Sequence, residues 1–284
     1  MNNIKIIYDT MNDLPQYMED NNKYDIDMLP ATIIFDGKEY RAGVDINTDE
    51  FYKLLRTNKE IPTTSQVTYM TFKETFEKHL SEGKKVLYMA GSSAGSGTYQ
   101  SAMLAKNDIE SDDIYIFDTY GFSIAGGLLI IEAAKMVEEG LDIDTIIKKL
   151  EEYKENVHVY FSVDSLEYLY KGGRISGTKA AVGTLLNIKP ILKIEDGLVK
   201  QKTQVRGSKK IMPTLIEKLR EEVGDDFSDK DVYVGYGDDL ENHEKFIEKV
   251  REELSPRNIY TFHIGACVAC HSGPTVVGIA CLNK

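Results

Sequence analysis

Two spacings of apolar residues alternate along this chain. Short apolar runs end at turn residues, and longer stretches between them carry apolar positions three or four apart. The first pattern predicts strands and the second amphipathic helices. Ile4-Lys5-Ile6-Ile7-Tyr8 predicts a strand ending at Asp9-Thr10, with Asn12-Asp13-Leu14-Pro15 turning into a polar helix. Residues 28–35 predict an extended segment closed by Asp36-Gly37, a hairpin signal. Thr48-Asp49-Glu50 starts a helix to Thr57, and the hydroxyl-rich loop 62–66 precedes a helix over 68–81. A strand over 85–90 runs into Gly91-Ser92-Ser93-Ala94-Gly95-Ser96-Gly97-Thr98, after which a helix begins. A strand over 113–117, again followed by Asp-Thr, leads to helices over 123–139 and 142–155.

In the second half, a strand over 157–163 and a helix over 164–171 end at Gly172-Gly173-Arg174. A small-residue helix over 176–186 precedes two strands joined by Asp196-Gly197. Helices over 207–222 and 239–253 then alternate with strands over 231–236, 258–263 and 276–281. This order predicts an α/β protein: an N-terminal, mostly parallel sheet with helices on both faces, and a C-terminal α/β domain with a mixed sheet. The length of 284 residues suits two domains, placed at 1–156 and 157–284.

Composition narrows the function. With 42% hydrophobic and 28% charged residues the chain reads as soluble and globular. A net charge of −12 argues against binding nucleic acid or an anionic membrane surface. The start of the chain lacks the layout of a signal peptide, and the most apolar stretch, 122–137, holds Glu132 and Lys135. That stretch is shorter than the ~20 residues a membrane span needs, so a cytoplasmic location is expected. Cys267, Cys270 and Cys281, odd in number, suit reduced thiols.

Loop 91–98 has the geometry of an anion site. Glycines let the backbone approach a ligand, the following helix offers unpaired N–H groups, and Ser96 and Thr98 add hydroxyls, for a carboxylate or a phosphate. The plain alternative is a βα turn with Ser96 or Thr98 as helix cap. In parallel sheets, ligands gather at the carboxyl ends of strands, where loops 9–13, 62–66, 91–98 and 118–123 fall. Three further candidates are Thr64 with Ser65, Arg174 after its glycine pair, and His271. Each also has an ordinary reading: a helix cap, a surface ion pair, a packed histidine.

Together these residues resemble the DegV family. The resemblance rests on Thr64-Ser65-Gln66, on Ser92-Ser93-x-x-Ser96-Gly97-Thr98-Tyr99-Gln100-Ser101-Ala102, and on Leu166-x-Tyr168-Leu169-x-Lys171-Gly172-Gly173-Arg174-Ile175-Ser176. It continues through Leu185-Leu186-Asn187-Ile188-Lys189-Pro190 to Ile264-Gly265 and His271-x-Gly273-Pro274, spanning essentially the whole chain. It implies a non-enzymatic protein that holds one long-chain fatty acid such as palmitate, without metal or cofactor. It also implies that the bound acid is presented to the catalytic subunit of a fatty acid kinase, with transient membrane contact for ligand exchange. Carried over, Thr64 and Ser96 hold the carboxylate, with Ser65, Gly97, Arg174 and His271 around it, and Arg206 meets the kinase. The chain departs from the family pattern at Val67-Thr68, at Ala94-Gly95 (Gly-Leu in the family), at Thr275 and at Thr10-Met11. The missing leucine at 95 is expected to alter tunnel width.

Other chemistries compete. Gly91-x-Ser93-x-Gly95 fits a nucleophile elbow, with His271 as base and an acid such as Asp238, which describes a serine esterase or thioesterase. Cys267-x-x-Cys270-His271 fits haem attachment but needs export, and no second ligand pair supports zinc. The loop lacks the Gly-Lys-Ser/Thr ending of a P-loop.

Overall fold

Four strands of the first half lie side by side and parallel, while a fifth and its neighbours form a small separate sheet. The computed structural model describes residues 3–15, 17–18, 24–58, 60–175 and 187–284. In chain order these are β1 (Ile4–Asp9), β2 (Ile26–Leu29), β3 (Thr32–Phe35), β4 (Lys38–Arg41), α1 (Thr48–Thr57), β5 (Thr63–Ser65) and α2 (Tyr69–Ser81). Then come β6 (Lys85–Ala90), α3 (Thr98–Ile109), β7 (Ile114–Asp118), α4 (Ile124–Glu138) and α5 (Ile143–Lys154). The parallel sheet has the order β2-β1-β6-β7, and the small antiparallel one β4-β3-β5.

The second half supplies β8 (Val157–Ser162), α6 (Glu167–Lys171), β9 (Ile188–Glu195), β10 (Leu198–Arg206), α7 (Ile211–Val223), β11 (Asp231–Tyr236), α8 (Leu240–Leu254), β12 (Asn258–His263), α9 (Ala266–Ser272) and β13 (Val277–Leu282). Its six-stranded sheet, β10-β9-β8-β13-β11-β12, is mixed: only β11 and β12 run parallel. The alternation of side chains along a strand gives this sheet two apolar faces. Tyr160, Val232, Val234, Ile279 and Cys281 pack with Leu215 of α7 and Phe246 of α8. Val159, Phe161, Tyr233, Phe262 and Ala280 face the other way, into the core shared with the parallel sheet.

Helix α4 joins the two sheets. It packs against β1 and β6 on one side and β8 and β13 on the other. Twelve of its 15 residues are buried, which is why its apolar pattern runs all round the helix instead of along one stripe. Among the described residues, no helix is long and apolar enough to cross a membrane.

Several elements differ from the sequence pattern for physical reasons. Residues 28–35 divide at Pro30, which has no N–H for a ladder, and the halves β2 and β3 join different sheets. The 62–66 loop contains strand β5, so neither Thr64 nor Ser65 is a helix cap. That role belongs to Thr68, whose hydroxyl accepts the Thr71 N–H. Helix α1 is capped by Asn47 in a reciprocal pair with Glu50. Helix α9 has only seven residues, too few to display a helical period. The predicted helix over 176–186 lies outside the described residues, as does most of the one expected after Pro15.

Candidate functional site

A cavity of about 500 Å³ opens between the carboxyl end of β6, the start of α4 and the inner face of the six-stranded sheet. Its volume falls within the ~300–1,000 Å³ of small-molecule sites. The polar part of its wall includes Thr64, Ser65, Gln66, Ser96, Arg174 and His271. Most of the remainder is apolar, from Phe122, Ile124, Val159, Phe161, Phe262 and Val276.

Thr64, His271 and Arg174 form one connected group through Gly172. Thr64, half-buried in β5, has its hydroxyl 2.9 Å from His271 Nε2 on α9. His271 lies directly over Gly172, where a Cβ would stand 2.2 Å from Nδ1. Gly172 ends α6 in ordinary right-handed geometry, so it is glycine here for closeness to the ring, whereas Gly173 has φ +70° and needs glycine for its backbone. Arg174 follows; its Nε donates to Gly95 O at 3.1 Å and its Nη1 to Gly172 O. The guanidinium thus joins the α6 end to the 91–98 loop and keeps three of its five N–H donors for other partners.

Two hydroxyls of the wall are prepared to donate. Burial, with a smaller push from Arg174, lowers the His271 pKa to about 4, so the ring is neutral at pH 7. Its Nδ1 is buried without a hydrogen-bond partner. An unpaired buried N–H is costlier and rarer than an unpaired acceptor, which places the proton on Nε2 and makes Thr64 Oγ1 the acceptor. The Thr64 O–H is then free to donate elsewhere. Ser96 repeats the arrangement: its Oγ accepts the Thr98 N–H at 3.2 Å, leaving its O–H free to donate. Two O–H donors and a guanidinium around one cavity suit a carboxylate.

The cap position of α3 is Gly97, which has no side chain to bond; Ser96, one residue before it, satisfies the first helical N–H instead, and Thr98 is the first residue of the helix itself. The carboxamide of Gln66 lies across Gly97, where a Cβ would meet Oε1 at 2.0 Å, and its Nε2 donates to Ser101 Oγ at 2.8 Å. Gln66 therefore braces the loop that carries Ser96. Phe122 fills the space beside Gly95: a Cβ there would stand 2.5 Å from the ring. The absent leucine at 95 does not simply widen the cavity, because this ring occupies its place. Gln66 stands in the Thr64-Ser65-Gln66 motif but with no role of its own legible there, and Phe122 carries no signal beyond its loop.

Asp13, at the end of the 9–13 loop and with no role of its own legible in the sequence, connects three segments. Its carboxylate accepts the Gly265 N–H at 3.0 Å and the Ser123 hydroxyl. It thereby ties the loop after β1 to the starts of α4 and α9. The same loop sits on the glycine pair of α4, where a Cβ at Gly127 would meet Asp13 O at 2.1 Å.

Other candidates fall apart or lie elsewhere. Ser93 is not in the cavity wall; its backbone N–H bonds Asp118, and Asp238 pairs with Arg56 at 3.2 Å. His271 faces Thr64 with no acid on Nδ1, so no Ser-His-Asp relay is assembled. Cys267 and Cys270 are buried on α9, and burial raises the Cys267 thiol to about 12. Among the described residues, no group of three or more His, Cys, Asp or Glu side chains is placed to hold a metal. Arg206 is exposed at the end of β10, outside the cavity wall.

A family model described as an uncharacterised protein of the DegV family matches residues 3–284. A DegV domain-containing protein of Caldanaerobacter subterraneus subsp. tengcongensis is 36% identical over 279 residues, covering 98% of each chain. Among solved structures, a DegV lipid-binding protein of Thermotoga maritima is 32% identical with a TM-score of 0.88, covering 100% of both chains. A stearic acid-binding protein of Eubacterium ventriosum is 28% identical with a TM-score of 0.88, covering 100% of this chain and 99% of its own.

Proposed function

Because the chain belongs to the DegV family, we propose that it binds one long-chain fatty acid non-covalently and does not turn it over. The observation that carries this reading is the pairing of two free O–H donors, Thr64 and Ser96, at a cavity whose wall is otherwise mostly apolar. The carboxylate takes these hydroxyls and the spare N–H groups of Arg174, and the tail runs among the phenyl and aliphatic side chains. Ser65 and Gly97 complete the rim around the head group, which sits where residues 1–156 meet 157–284.

Magnitudes favour such a ligand. Burying about fifteen methylenes at ~0.8 kcal/mol each yields about 12 kcal/mol before ordering costs. A carboxylate left unpaired inside would forfeit much of that gain, and charge-assisted hydrogen bonds of ~1.5–3 kcal/mol each prevent it. The fatty-acid and lipid binding described for the Thermotoga and Eubacterium proteins supports the same class of ligand.

The bound acid is presented in the cytoplasm to a kinase subunit that phosphorylates its carboxylate, with brief membrane contact for loading. Exposed Arg206, with Lys209 and Lys210 beyond it, forms the contact with that subunit. Thr64→Ala and Ser96→Ala are each expected to weaken fatty-acid binding about tenfold or more, the equivalent of one charge-assisted bond. Titration of delipidated protein with a fluorescent fatty acid measures this. Unchanged affinity in the double variant would remove both residues from the carboxylate site.

A further inference from the structure

The inner face of the six-stranded sheet carries an unusual cross-strand row. Phe161 of β8 pairs in register with Gly278 of β13, Gly278 with Gly235 of β11, and Gly235 with Phe262 of β12. Directly paired residues share a face, so the row reads Phe-Gly-Gly-Phe across four strands. Phe161, Gly278 and Phe262 line the cavity, and Gly235 does not.

The two glycines are glycine for different reasons. Neither has a positive φ, so neither is required by its backbone. A Cβ at Gly235 would meet three atoms of the Phe262 ring at 2.2, 2.5 and 2.8 Å, so that ring lies folded down over it. A Cβ at Gly278 would have as its three nearest atoms only those of β8: Phe161 Cβ at 3.2 Å, Tyr160 O at 3.4 Å and Phe161 Cα at 3.9 Å. Gly278 is therefore uncovered from above. The sheet loses a side chain there and gains a trough walled by two phenyl rings, in the apolar part of the cavity.

We infer that Gly278 is the floor of a slot through which the acyl tail passes between Phe161 and Phe262, and that Gly235 keeps the slot open by letting Phe262 lie flat. The pair then sets the longest tail the cavity accepts. This inference rests on the fatty-acid reading above and goes beyond it in naming what limits the ligand. Any side chain at 278 projects into the slot directly. A methyl at 235 cannot coexist with the ring as placed, and lifts Phe262 toward the tail.

The test uses the full-length purified protein, delipidated and offered an equimolar mixture of decanoic, palmitic and octadecanoic acids, with the bound fraction identified after extraction. Gly278→Ala, Gly278→Val and Gly235→Ala are compared with the wild type after their folds are checked by circular dichroism. The expected result is that wild-type protein selects a long chain, whereas Gly278→Val and Gly235→Ala move the bound ratio toward decanoic acid by about tenfold, the loss of one to two buried methylenes. Gly278→Ala shifts it less and is the variant to rely on if valine prevents folding. A wild type that binds no acid would overturn the fatty-acid reading itself. A wild type that binds acids, with variants of unchanged chain profile or with equal loss at every length, would overturn the slot alone.

Discussion

Burial keeps the His271 ring neutral down to about pH 4, whereas in the unfolded chain the same ring takes up its proton near 6.5. Between those values the unfolded state binds more protons, so stability falls as pH drops through that window and is intact above it. At pH 5 the loss from this one residue is about 2 kcal/mol. His243, also lowered to about 4, adds a similar loss through burial. Urea unfolding at pH 7 and pH 5 is expected to show this decline, and His271→Asn to show a smaller one. An equal decline in both proteins would contradict the neutral, buried state of His271. The same neutrality means that at pH 7 the imidazole orients Thr64 and leaves Arg174 as the cation of the polar group.

At the scale of elements, the site depends on small residues that let one segment touch another. Gly172→Ala keeps an allowed backbone but drives a methyl into His271. Overpacking of this kind costs ~1–3 kcal/mol. It is expected to weaken fatty-acid binding by about tenfold because Thr64 loses its donor, a change that fluorescent fatty-acid titration reads. Binding as tight as in the wild type would show that the Thr64–His271 contact is dispensable. The sequence makes the strands and long helices legible through their periods, and it makes the hydroxyl loops legible through their position after strands. It also brings Thr64, Ser96, Arg174 and His271 forward as one set, through their family pattern. It conceals α9, which is shorter than a period needs, and β5, a three-residue strand in a hydroxyl-rich stretch. Gln66, Phe122 and Asp13 act through contacts with residues distant in sequence or across a loop, which no local spacing encodes.

For the whole molecule, the apolar helix α4 is the common wall of two sheets, and the cavity lies at its N-terminal end. Residues 122–137, apolar enough to invite comparison with a membrane segment, are explained by this double burial. A ligand filling that cavity binds only the folded state, so it stabilises by mass action, about 2.7 kcal/mol at a hundredfold excess over Kd. Delipidated protein is accordingly expected to melt several degrees below the loaded form in a thermal scan, and to recover on addition of palmitic acid. Equal melting temperatures at saturating acid would show that the folded protein does not bind the acid in preference to the unfolded chain.

The most direct measurement is native mass spectrometry of the freshly purified chain, followed by denaturation and extraction of what is released. One long-chain fatty acid per protein, lost intact on unfolding, is the predicted result. A protein that stays empty when long-chain acids are supplied in excess, or a covalent acyl adduct that survives denaturation, would contradict the account.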